Sequence, residues 1–259
     1  MEQDQFLRRH QSLNTGDDAS RVALLIAAHG ERRPGADNEG VCRTAREVAA
    51  RNLVSEVGVG FINGAPTIRE AFAALTAPRV IVYPMFASSG YFTRDRLVQL
   101  LDEANSEGRN VDVLPPLGLD PGLSDLVLAR AAEVARNRGF APEASAIILL
   151  AHGSRRNSAS REATEQVARE IENRDVFRKV RIALLEERPF LGDAAAAIQG
   201  PAIVVGLFSG QGMHGARDAP KLIAELSRND IAYAGVIGAM AGIENLVARS
   251  VRQALASDT

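Results

Sequence analysis

The chain has 259 residues, 46% of them hydrophobic and 24% charged, and 30 Lys plus Arg against 32 Asp plus Glu leave a net charge of -2. That balance gives no general drive toward nucleic acid or an anionic membrane. A single cysteine, Cys42, excludes an internal disulfide, a cysteine-rich zinc site and an iron–sulfur cluster held by four thiolates of this chain. Any metal chemistry must come from the four histidines and the carboxylates.

Residues 1–20 are polar and lack the apolar stretch of a targeting signal, so a solvated tail is expected there. No apolar run reaches the roughly 18 residues of a membrane span, and a cytoplasmic protein is the expectation. VALLIAA (22–28) is a short continuous apolar run, as a buried parallel strand requires. Val41, Ala45, Val48 and Ala49 follow at helical spacing, which puts Cys42 on a helix and leads us to expect a buried, inert thiol. VGVGFI (57–62) reads as a second strand. Pro66 is placed at the opening of a helix, where its missing N–H matters least, with Ile68, Ala71, Phe72 and Leu75 as the apolar stripe. VIVYPMF (80–86) is a third strand, Leu97, Leu100, Leu101 and Ala104 mark the next helix, and VDVLPPLG (111–118) precedes a closing helix.

The same order then returns. VALLIAAHGERR (22–33) reappears as AIILLAHGSRR (146–156), with His29 and His152 separated by 123 residues and Pro66 and Pro189 by the same 123. VIVYPMFASSG matches AIVVGLFSGQG at an offset of 122, and LGLDPGLSDLV matches IGAMAGIENLV at 120. A unit of about 120 residues is duplicated, too long and too few for a solenoid. The expected fold is α/β: two tandem similar domains, each a four-stranded parallel sheet flanked by helices, facing each other across a cleft. The expected boundaries are a tail at 1–20, a first domain at 21–140 and a second at 141–259.

Ligands of such sheets bind beyond the carboxyl ends of the strands. In the second copy His152, Glu186 and His214 follow three neighbouring strands, and two imidazoles with a carboxylate suit a borderline divalent ion. The first copy carries His29, Asn63 and Phe92 at those positions, so one metal site is expected, in the second half. The competing reading has His214 capping a helix or bonding to backbone in a glycine-rich turn. No G-x-x-x-x-G-K-[ST] and no G-x-G-x-x-G after a strand is present, which argues against P-loop and dinucleotide sites, and Ser209 lacks the spacing of a nucleophile elbow.

LLAHGSRR, ALLEERP and GLFSGQGMHGARDAP resemble the class II chelatases of sirohydrochlorin in their long two-domain form, over residues 20–255. The resemblance implies a lyase that inserts cobalt or iron into sirohydrochlorin for cobalamin or siroheme biosynthesis. It assigns the ligand and catalytic roles to His152, His214 and Glu186, leaving open whether Glu186 or the adjacent Glu187 is the carboxylate and which histidine is the base. It implies no ATP and no cofactor beyond the divalent metal, itself a substrate. An eight-carboxylate tetrapyrrole calls for arginines, whose forks bind carboxylates bidentately, and Arg155, Arg156 and Arg217 flank the histidines, with Arg32, Arg33 and Arg94 at the other half's edge. Ser154 either bonds a substrate carboxylate or caps a helix, and Tyr91 and Phe92 either face the ring or pack in the core. Tetrapyrrole and metal are the expected partners of a monomer, a dimer being the alternative. The competing functions are a ferrochelatase of another porphyrin and a non-catalytic metal or tetrapyrrole carrier.

Overall fold

A computed structural model describes residues 21–31, 38–210, 215 and 217–257. His10, Arg32, Arg33 and His214 lie outside the described residues. The first half runs β1 (Val22–Ala28), α1 (Glu39–Ala49), β2 (Glu56–Phe61), α2 (Ile68–Ala74), β3 (Arg79–Met85), α3 (Leu97–Ala104), β4 (Asn110–Val113) and α4 (Leu123–Asn137). The second runs β5 (Ala146–Ala151), α5 (Ala159–Glu172), β6 (Lys179–Leu184), α6 (Leu191–Ala196), β7 (Ala202–Gly206), α7 (Ala219–Glu225), β8 (Ile231–Val236) and α8 (Ile243–Ala256). Both sheets are four-stranded and parallel, ordered β2-β1-β3-β4 and β6-β5-β7-β8.

The continuous apolar runs form the inner strands because both of their faces are covered. Leu24, Ile26 and Ala28 of β1 point into one core, and Ala23, Leu25 and Ala27 into another. Ile147, Leu149 and Ala151 of β5 share the first of these cores, while Ala146, Ile148 and Leu150 enter a third. The outer cores are closed by α2 with α3 and by α6 with α7. The central core is common to both halves and contains α1, α4, α5 and α8 between the two sheets.

The closing helices cross over. α4, from the first half, packs on β7 and β8, and α8, from the second, packs on α1 and β3. The midpoint of the sequence therefore does not divide the packing. A polar junction accompanies the exchange: the Asp120 carboxylate, 2% exposed, accepts from the Tyr83 hydroxyl (3.3 Å), the Gly122 N–H (2.9 Å), the Ser250 hydroxyl (3.1 Å) and the Arg249 guanidinium. Burial first, and the Asp120 charge second, push the Tyr83 hydroxyl far above its ordinary pKa, so it stays a donor. Arg43 donates to Ala239 O (2.8 Å) and Arg130 to Ala234 O (3.1 Å). The first of these contacts joins the helix that follows β1 to the loop that follows β8, so the carboxyl edges of both sheets lie at one end of the molecule.

Two local expectations are corrected. Pro66 stands outside the helix: Thr67 is the N-cap of α2, in a capping box with Glu70, and the Pro66 carbonyl accepts from Phe61 N (2.9 Å). Pro189 does the same for Leu184 (2.8 Å). Cys42 is half-buried at the margin of the central core rather than sealed in it. A π-helical turn, Phe92–Arg96, precedes α3.

An arginine clamp recurs in each outer layer. Arg109 donates to the carbonyls of Phe72 and Leu75, and Arg228 to those of Ala195, Ile198 and Gly200, closing the C-terminal ends of α2 and α6. Arg228 is held in turn by Asp230 (2.8 Å), whose carboxyl this hydrogen bond keeps below the usual aspartate range. A lowered carboxyl adds stability that is present above the unfolded pKa and lost as pH falls through the folded one. The native chain is thus expected to lose an increment of thermal stability below about pH 4 that an Asp230→Asn variant, already lacking it at neutral pH, does not lose. The pH dependence of the melting midpoint of the two proteins checks this.

Candidate metal-insertion site

The loop after β5 is built around His152-Gly153-Ser154. Gly153 has φ +71°, a conformation that suits glycine, and a Cβ there would stand 3.0 Å from Leu184 Cβ and 3.1 Å from Glu187 Cγ. This turn brings the Gly153 carbonyl within 2.9 Å of His152 Nδ1. A carbonyl only accepts, so Nδ1 carries the proton and Nε2 is the nitrogen that bears the lone pair. The imidazole itself is exposed.

Glu186 is drawn to the same edge by backbone, its N–H donating to the His152 carbonyl (3.0 Å), while Arg155 Nε donates to the Glu186 carbonyl (2.9 Å). The Glu186 side chain is exposed. Its neighbour is differently employed: the Glu187 carboxylate accepts from Ser154 N (3.1 Å) and from Arg161 (2.7 Å). The Arg161 hydrogen bond, then that of Ser154, keeps the Glu187 carboxyl below the usual glutamate range.

His214 lies outside the described residues, and among the described ones no three metal-ligating side chains are gathered. Its neighbour Gly215 is fixed, accepting at its carbonyl from the Tyr233 hydroxyl (3.0 Å). Burial pushes that hydroxyl up to about 12. A Cβ at Gly215 would meet Val236 Cγ1 at 2.4 Å, so only glycine fits.

The first half carries the same three positions with different chemistry. His29 Nδ1 lies 3.1 Å from Gly30 O, repeating the tautomer of His152, but its Nε2 lies 3.3 Å from Asn63 Nδ2. The Asn63 amide therefore donates into the lone pair that a metal would need. Phe92 stands edge-on to the His29 ring at 4.7 Å. The ends of β1, β2 and β3 thus converge on one point, and His29, Asn63 and Phe92 meet there.

Arg155, Arg156, Arg217 and Arg94 are exposed. Ser154 caps no helix; its hydroxyl accepts from Arg156 N (3.2 Å) inside the loop. Tyr91 and Phe92 are 60% and 42% exposed, which removes the core-packing alternative and leaves an edge-to-face aromatic pair (5.5 Å) at the site edge. The Arg161–Glu187 pair escaped the sequence reading. The signal was available, since the 123-residue offset pairs these residues with Asn38 and Gly64.

Paired four-stranded parallel sheets with loops converging at one end define a chelatase-like two-domain protein. The architecture superposes on CbiX, described as the terminal enzyme for siroheme biosynthesis in denitrifying bacteria, with TM-score 0.72 and 27% identity, over 90% of this chain and 99% of that one. It also matches SirB of Bacillus subtilis subspecies spizizenii, a sirohydrochlorin chelatase solved with cobalt, in fold (TM-score 0.73, 16% identity, 90% of this chain and 94% of that one). The CbiX family model matches residues 23–134 and again 146–254, and the chain belongs to the CbiX family. A probable sirohydrochlorin cobaltochelatase of Halobacterium salinarum is 25% identical over 221 residues, 77% of this chain and 75% of that protein. Among the described residues no helix is long and apolar enough to cross a membrane.

Proposed function

We propose that the chain is a cytoplasmic, monomeric chelatase that inserts a divalent metal, cobalt or iron, into sirohydrochlorin without ATP, at a single site formed by His152, Glu186 and His214. The observation that carries this reading is the convergence of His29, Asn63 and Phe92 in the first half. By the internal repeat, the same strand ends in the second half carry a histidine, a carboxylate and a histidine.

Insertion requires that two pyrrolic protons leave and that the metal exchange protein and water ligands for four ring nitrogens. A neutral imidazole that carries its proton on Nδ1 can hold a divalent ion at Nε2 and can accept a proton there. Glu186 supplies negative charge that offsets the desolvation of the cation. The exposed carboxylate of Glu186 suits this role better than that of Glu187, which is engaged by Ser154 and Arg161. The exposed Arg155, Arg156 and Arg217 offer forks to the peripheral carboxylates of the macrocycle, and Tyr91 and Phe92 offer an aromatic surface to its flat face.

Anaerobic incubation of the protein with sirohydrochlorin and cobalt(II) or iron(II), without nucleotide, is expected to metallate the ring faster than buffer does, read as the change in its absorption spectrum. Binding of the tetrapyrrole with no acceleration by either metal would make the chain a carrier. Acceleration with protoporphyrin but not sirohydrochlorin would make it a chelatase of another porphyrin.

A further inference from the structure

The geometry points to Glu187 as a positioning residue for His152, distinct from the ligand carboxylate at Glu186; the inference rests on the site proposed above. Glu187 lies across the back of the His152 loop: its carboxylate accepts from Ser154 N (3.1 Å) and from Arg161 Nη2 (2.7 Å), and its Cγ lies 3.1 Å from where a Cβ of Gly153 would be. Arg161, near the start of α5, also donates to the Arg188 carbonyl and lies 3.8 Å from Glu165. Gly153 N donates to the Ser160 hydroxyl (3.1 Å). The three residues that carry the imidazole are therefore tied to the first turn of α5 on one side and to the β6–α6 loop on the other.

This tie orients the site. The His152 tautomer depends on the Gly153 carbonyl, and that carbonyl belongs to the peptide whose N–H Glu187 holds. If the peptide rotates, the Nδ1 acceptor and the direction of Nε2 change together. The repeat supplies an internal comparison. At the offset of 123 residues, Ser154, Arg161 and Glu187 correspond to Glu31, Asn38 and Gly64, so the half whose histidine is blocked by Asn63 also lacks the tie. A tie needed only for folding the unit would be expected in both copies.

The test titrates cobalt(II) alone into the full chain anaerobically, reading the ligand-field absorption of the bound ion, for the wild type and for Glu187→Leu, Glu187→Gln, Arg161→Met, Glu186→Gln and His152→Ala. Glu187→Leu and Arg161→Met are expected to weaken cobalt binding roughly 10- to 100-fold and to alter the absorption of the bound ion. Glu187→Gln, which keeps an acceptor for Ser154 N but loses the charge, should fall between these and the wild type. Thermal midpoints should move by no more than about 4 °C, and Arg161→Met serves should Glu187→Leu fold poorly. Unchanged cobalt affinity and spectrum in the Glu187 variants would overturn the positioning role. Loss in Glu187→Gln as complete as in Glu186→Gln, with Arg161→Met unaffected, would overturn it in favour of a direct ligand. Undiminished binding by His152→Ala would instead remove the proposed site, and the positioning role with it.

Discussion

Alanine at His152 is expected to lower the rate of metal insertion by about 10²- to 10⁴-fold, while alanine at His29 leaves it within about threefold, less than 1 kcal/mol of activation free energy. The two histidines share the Nδ1 contact with the following glycine carbonyl. His29 Nε2 accepts from Asn63, and Phe92 closes the face beside it. On the proposed site, removing His29 would remove no ligand and no proton acceptor, whereas removing His152 would remove both functions in one step. His214→Ala should lose as much as His152→Ala. Initial rates of cobalt(II) insertion into sirohydrochlorin, with all three variants at equal folded concentration, check this. Equal losses at His29 and His152 would mean that the reaction occupies the first half.

Dividing the chain between α4 and β5 is expected to give two fragments, neither of which folds as a monomer. Alone, residues 21–140 would leave Val127, Ala131 and Val134 of α4 without β7 and β8, and would strip the inner face of the first sheet of Leu246, Val247 and Val251. Each large aliphatic side chain returned to water loses roughly 1.5–3 kcal/mol, so a handful is comparable to the whole of the roughly 5–15 kcal/mol that holds a typical domain together. The intact protein should accordingly melt in one transition. Asp120→Ala, which leaves the buried Tyr83 hydroxyl without its acceptor, should lower that transition by about 2–3 kcal/mol; the value sits toward the low end because Arg249 is partly in solvent. Circular dichroism and gel filtration of fragments 21–140 and 146–257, separately and mixed, decide the first point. A folded monomeric fragment would show that the common core is dispensable.

The strands and their order of appearance were readable because each inner strand is an unbroken apolar run and each run occurs twice. His29, Asn63 and Phe92, which meet at the strand ends of the first half, followed from the same offsets. The exchange of α4 and α8 was not readable: an amphipathic stripe records that a helix has an apolar face, not which of two similar sheets it meets. Proline marks a helix start strongly and masks the Thr67 and Glu70 spacing of the capping box that sets the true one. Tyr91 and Phe92 were ambiguous because an exposed aromatic pair and a core pair have the same composition; only the π-helical turn shows which way they face. Glu186 and Glu187 are indistinguishable as letters, and Arg161, which separates them, is 26 residues away.

The shared core bears on how the two sites came to differ. Two copies of a single unit, each lending its closing helix to the other, would form a symmetric dimer in which every substitution appears twice. Joining the copies in one chain keeps the exchanged helices at high effective concentration and makes each position independently heritable. Asn63 and Phe92 can then arise on one side while a glutamate and a histidine are kept on the other. Covalent linkage thus supplies the broken symmetry by which an aromatic, arginine-bearing wall in one half could face the proposed metal-holding wall of the other.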